Sequence, residues 1–106
     1  MPQLVVRALT GPHLLAEKVR ALIVRGKARD LYDLHFLLER GVTCGRALLD
    51  EKMRLYRRRF ARKALDAGIE RVRRSWSRDL EVLLGSVPPF ATVAAAVRGR
   101  VRRLQP

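Results

Sequence analysis

The chain has 106 residues, enough for one domain and one core but not for two. Its hydrophobic content of 48 % excludes a disordered polyelectrolyte, and 23 basic against 10 acidic residues leave a net charge of +13 that favours anionic partners: nucleic acid, nucleotide phosphates or an acidic protein. The single cysteine, Cys44, excludes an internal disulfide and fits a reducing cytoplasm; no apolar run is long enough for a signal peptide or a membrane span.

Leu4-Val5-Val6 predicts a short strand over 4–8. Thr10-Gly11-Pro12 then opens a helix over about 12–25, Thr10 as cap and Pro12 in the first turn. Leu15, Val19 and Leu22 make its inward stripe, Lys18 and Arg25 share another side, and Gly26 ends it. A second helix over 29–40 turns Leu31, Leu34 and Leu38 inward and stops at Gly41. A third is predicted over 46–66, with Leu49, Met53, Tyr56, Phe60 and Ala64 as its stripe and Gly68 beyond its end. A fourth over 69–84 carries Ile69, Val72, Trp76, Leu80 and Leu83 and closes at Gly85 and Pro88-Pro89. A fifth over 90–104 carries Phe90, Val93, Val97, Val101 and Leu104. The expected fold is mainly α: a five-helix bundle with one short N-terminal strand.

Three clusters are candidate sites. At the joint of the first two helices, Asp30 and Asp33 are three residues apart and so share a helix face, within reach of Arg29. Two such carboxylates can share a metal or hold a base, and a nearby Lys and Arg can grip phosphates. The plainer alternatives are a carboxylate placed for the helix dipole and an ordinary surface pair. The second cluster is the basic surface of the third helix: Arg54, Arg57, Arg58, Arg59, Arg62 and Lys63. Laid along RNA it would release counterions; otherwise it is a solvated face. Tyr56 and Phe60 belong to the stripe, which favours core over base stacking. The third is the tail, Arg98, Arg100, Arg102 and Arg103, either a nucleic-acid clamp or a frayed, solubilising end. His13, His35 and Cys44 have no metal-ligand spacing, so no metal site is expected.

The run Leu15-Ala16-Glu17-Lys18-Val19-Arg20-Ala21-Leu22 with Arg25, followed by Arg29-Asp30-Leu31-Tyr32-Asp33-Leu34, resembles the AbiEii/AbiGii toxin family of nucleotidyltransferase-fold proteins. Trp76-Ser77-Arg78-Asp79-Leu80 and Pro88-Pro89-Phe90 look like that family's C-terminal helical region. The resemblance implies transfer of a nucleotide from an NTP, with Mg²⁺, to an RNA such as tRNA, in type IV toxin–antitoxin or phage-defence systems. It implies catalytic roles for Lys18, on the triphosphate, and for Asp30, as the acid of the last motif. Arg25 and Arg29 would join Lys18 in binding the nucleotide. Asp33 would support Asp30, and Glu17 and Arg20 would orient the helix.

The family's catalytic core is a mixed sheet with a Gly-Gly or Gly-Ser turn and an Asp-x-Asp pair for the metal. The aspartates here, Asp30, Asp33, Asp50, Asp66 and Asp79, include no two separated by one residue. The chain therefore looks like the helical half of such an enzyme, inactive alone and binding no cofactor by itself, its short strand the last of the sheet. A core chain would complete the site for Mg²⁺ and NTP, and an antitoxin is a further expected partner. Two other readings stand beside this one. The chain is a non-enzymatic RNA-binding module using the third helix, with Arg54, Arg57, Arg58, Arg62 and Lys63, and the tail, or a structural remnant that homodimerises through the Leu4–Val6 edge.

Overall fold

In the computed structural model, residues 10–102 are described, and they form six helices: α1 Gly11–Val24, α2 Ala28–Glu39, α3 Arg46–Arg54, α4 Arg62–Arg73, α5 Trp76–Leu84 and α6 Phe90–Arg102. There is no strand among these residues; the strand expected over 4–8 and Leu104 of the last stripe lie outside them. The fold is mainly helical, as expected, but with six helices rather than five.

α1 begins as its sequence predicts. The Thr10 hydroxyl accepts from the His13 N–H at 3.5 Å, and Pro12 lies in the first turn. Its stripe of Leu15, Val19 and Leu22 is fully buried, and α1 packs against α2, α3 and α4. α2 lies between α1 and the α5–α6 pair and buries Leu31, Leu34 and Leu38. Val93, Val97 and Val101 complete the core from α6.

Two expected helices are each divided. The helix predicted over 46–66 ends at Arg54. The Arg57 and Arg58 N–H groups reach back to the Arg54 and Met53 carbonyls at 2.9 and 3.2 Å, and Arg57 takes a left-handed φ of 56°. This is the usual glycine-ended helix stop, built here on an arginine. Charge supplies a reason: a continuous helix would stack Arg54, Arg58 and Arg62, and Arg59 and Lys63, at spacings of four, each like pair costing roughly 0.2–0.5 kcal/mol. The break buries Phe60 but leaves Tyr56 exposed, so Tyr56 is not in the core. Gly68 is likewise no terminator. It sits inside α4, where an added Cβ would lie 2.4 Å from the Leu22 carbonyl oxygen, and so lets α4 close onto α1.

The helix predicted over 69–84 is split by a turn at Arg74–Ser75 into α4 and α5. Both turn residues keep near-helical dihedrals, so Ile69, Val72, Trp76 and Leu80 stay in phase and all are buried, whereas Leu83 is exposed. The Trp76 indole donates to the Pro88 carbonyl at 2.7 Å and meets Phe90 edge-on at 5.9 Å. The Trp and Pro-Pro-Phe elements therefore fasten the α5–α6 connection.

Candidate functional site

The joint between α1 and α2 is an ordered cluster of charge. Gly26, at φ 59°, lets the chain reverse after α1. Asp30 then occupies the third position of α2 and accepts from the Lys27 N–H at 3.3 Å, satisfying an otherwise orphaned donor of that helix. Its two oxygens also take the Arg25 guanidinium side-on, both contacts at 2.9 Å. Asp30 is fully buried, while the Arg25 side chain is 54 % exposed. The hydrogen bonds and charge of Asp30 push the Arg25 pKa further up, with a smaller contribution from Tyr56. The guanidinium is therefore permanently charged, fixed at one edge and open to solvent at the other.

Asp33, one turn on, faces a different partner. It pairs with the Lys18 ammonium at 2.9 Å, and the Arg29 guanidinium stands 3.9 Å from the same oxygen. The expected Arg29–Asp33 pair is thus the weaker of two, because α1 brings Lys18 across the helix contact. Lys18 and Arg29 come together on Asp33, whereas Arg25 is held separately by Asp30, so Asp30 and Asp33 do not converge. One is committed to Arg25 and the helix start, the other to Lys18. Among the described residues no three His, Cys, Asp or Glu side chains form a group that could hold a metal ion. Glu17 pairs with Arg20 at 3.0 Å, and Arg20 in turn lies over the Tyr56 ring at 4.8 Å.

Arg71 was invisible as a site residue in the sequence. It reaches across from α4 to donate to the Ile23 and Leu22 carbonyls at 2.6 and 3.4 Å, capping the C-terminal end of α1 just before Arg25. A Cβ on Gly26 would lie 2.8 Å from its guanidinium. No local signal announces a contact 48 residues distant. Gly68 inside an otherwise apolar stripe was the one clue that α4 approaches α1 closely.

The second cluster is not one helix face: Arg57–Arg59 lie in the α3–α4 loop, Arg54 ends α3, and Arg62 and Lys63 open α4. Arg54, Arg57, Arg58, Arg59, Arg62 and Lys63 are all exposed, and none forms an ion pair among the described residues. Arg46, Asp50, Arg54 and Arg57–Arg59 line an open depression of about 550 Å³. Arg46 fixes one wall: it donates to the Phe60 carbonyl at 3.1 Å, pairs with Asp50 at 3.4 Å and lies over the Phe60 ring.

The expected basic tail resolves differently. Arg98 pairs with Asp66 and Glu70 at 3.1 and 2.9 Å, tying α6 to α4. Arg100 pairs with Glu39 and donates to the Leu38 carbonyl, both at 2.9 Å, tying α6 to α2. These two arginines are interhelical ties rather than a clamp; Arg103 lies outside the described residues.

The family model described as nucleotidyl transferase AbiEii toxin, type IV TA system, matches residues 1–98, and the chain belongs to that family. Neither the curated proteins nor the solved structures compared with the chain give a match. None of the helices described is long and apolar enough to cross a membrane.

Proposed function

We propose that this member of the AbiEii nucleotidyltransferase toxin family uses the α1–α2 joint to bind the phosphates of a nucleoside triphosphate. The observation that supports the reading is that two successive turns of α2 each hold a cation of α1, Lys18 on Asp33 beside Arg29 and Arg25 on Asp30. In nucleotidyl transfer an acceptor oxygen attacks the α-phosphorus, the α–β bridge breaks and pyrophosphate leaves. Cations held ready at the β- and γ-phosphates stabilise the charge that the leaving group gains. Lys18 and Arg25 take that role. Asp30, buried and fully engaged, acts as a positioning residue that aims Arg25, and Asp33 does the same for Lys18 and Arg29. Glu17 and Arg20 steady α1 beside them.

The divalent metal that such chemistry uses finds no ligand set among the described residues. A polypeptide segment with an Asp-x-Asp pair, joined to this chain or separate, would complete the site with Mg²⁺. The family's toxin–antitoxin assignment supports a cognate antitoxin. The acceptor is an RNA, such as tRNA, that meets Arg54, Arg57, Arg58, Arg62 and Lys63. A non-enzymatic RNA-binding module is the second reading, favoured by the unpaired arginines of the α3–α4 loop. A homodimer through the Leu4–Val6 edge would involve residues outside those described.

Equilibrium binding of each of the four NTPs tests the leading reading. Each phosphate contact from a charged donor is worth about 1.5–3 kcal/mol, so Lys18→Ala should weaken binding roughly tenfold or more while the helical signal is unchanged. Equal NTP binding by the variant and the parent would overturn it and leave the RNA-module reading.

A further inference from the structure

We propose that the α3–α4 loop, residues 55–61, together with Arg54 at the end of α3, is a clamp for a single-stranded polynucleotide, in which Arg54, Arg57, Arg58 and Arg59 hold successive phosphates and Tyr56 stacks one unpaired base. The inference rests on the RNA-contact part of the preceding reading and not on its nucleotide site. It goes further by naming an aromatic platform and a strand state.

Three observations converge on it. The first is unspent charge. Elsewhere in the described chain, Arg20, Arg25, Arg73 and Arg98 have carboxylate partners, whereas Arg54, Arg57, Arg58 and Arg59 have none. These four share one concave surface with Arg46, which is itself tied down. Guanidinium forks suit phosphate oxygens, and a concave row of them suits a flexible backbone more than a flat acidic helix.

The second is the backbone. Arg57 holds a left-handed conformation that costs a residue with a Cβ about 1–2 kcal/mol, at a helix stop where glycine is normal. The strain turns the next residues, Arg58 and Arg59, into the depression. Strained positions of this kind gather where a ligand is held.

The third is Tyr56, which charge alone does not explain. It is an aromatic residue left 47 % exposed between Arg54-Leu55 and the run Arg57–Arg59. Arg20 lies over its ring at 4.8 Å, so the ring is held from the α1 side while much of the residue remains open. An Arg-backed aromatic face next to a phosphate-binding row is the arrangement by which proteins hold unpaired bases; in a duplex the bases are stacked on each other and the ring has nothing to take. Because Arg20 belongs to α1, a base on Tyr56 is set beside that helix.

The test is titration of the whole chain with labelled oligouridine, without NTP or Mg²⁺, across a range of salt. Arg57→Ala with Arg58→Ala should weaken binding and flatten its salt dependence by about two phosphate contacts. Tyr56→Ala should weaken binding about tenfold with the salt slope unchanged, and Tyr56→Phe should restore it. An abasic phosphodiester of equal length should bind as Tyr56→Ala binds oligouridine. Deoxyuridine and uridine oligomers of one length separate DNA from RNA as the source of the strand.

If Tyr56→Ala binds like the parent, or a duplex of equal charge binds as tightly as the single strand, the clamp is wrong while RNA contact by the arginines stands. If polyglutamate of equal charge competes as well as oligouridine, the surface is a protein-docking face. If no oligonucleotide binds, both the clamp and the RNA reading fall, and NTP binding at the joint is unaffected.

Discussion

The α1–α2 joint and the α3–α4 loop are both rich in arginine, yet their charges are spent in opposite ways. At the joint every carboxylate has a cation and the carbonyls that end α1 have Arg71, so the cluster is rigid before any ligand arrives. In the loop the arginines face solvent beside a residue in a strained conformation, with no acid to hold them apart from Asp50 on the Arg46 side. Sequence composition cannot separate these two conditions, since both segments are basic. What separates them is whether the fold brings a counter-charge from elsewhere. A preorganised site wastes little ligand-binding energy on ordering its own side chains, whereas an unpartnered one binds by charge and strongly feels salt.

The largest expected effect tests the order of the joint. Arg25→Ala strips both guanidinium hydrogen bonds from Asp30 and leaves it the Lys27 N–H. Removing one partner of a buried pair costs about 3–5 kcal/mol; half-exposure of the guanidinium reduces this to about 2–3. Asp30→Asn keeps an acceptor for the helix start and frees Arg25 to reach water, so it should cost nearer 1 kcal/mol. Urea unfolding of the two variants checks the ranking. Equal losses would mean that the buried carboxylate is not sustained by Arg25, and the contrast with the loop would dissolve.

A middle-sized effect of opposite sign belongs to the loop. Arg57→Gly removes the left-handed penalty and a like charge, at the cost of a more flexible unfolded chain. The net expectation is a gain of about 0.5–1 kcal/mol. The same change should weaken oligonucleotide binding. A thermal melt rising as affinity falls would show that the loop sacrifices stability for its ligand. A variant less stable than the parent would show instead that the Arg57 side chain makes a contact the fold requires.

Much of this was legible in the sequence, and the rest was lost for physical reasons. Leu15, Val19 and Leu22 on α1 and Leu31, Leu34 and Leu38 on α2 keep helical spacing and are buried. Gly26, Gly41 and Gly85 have the positive φ of helix ends. The charges of the joint were visible because they are close in sequence. Their pairing was not, because Lys18–Asp33 is a contact between helices. Leu49, Met53, Tyr56, Phe60 and Ala64 read as one stripe, since spacing alone cannot register the repulsion of stacked arginines or a left-handed turn that restores phase afterwards. Arg98 and Arg57 look alike on paper; only the fold supplies Asp66 and Glu70 to one and nothing to the other.

That last pair gives the smallest effect and a sharp control on the comparison. Glu70 is held by Arg73 and Arg98, and their hydrogen bonds draw its pKa from 4.5 down to about 2. A folded-state pKa below the unfolded value means stability that is fully present above about pH 4.5 and lost as pH falls from there toward 2. Because the carboxylate is at the surface, the loss is slight and shrinks as salt is added. Glu70→Gln should flatten the acid limb of the stability curve over that interval and leave the neutral value nearly unchanged. If the Glu70→Gln curve keeps the parent's acid limb, the Arg73–Glu70–Arg98 cluster does not tie α4 to α6. Asp66 would then be the carboxylate that holds Arg98, at 3.1 Å, and α4 would keep its tie to α6 through that pair.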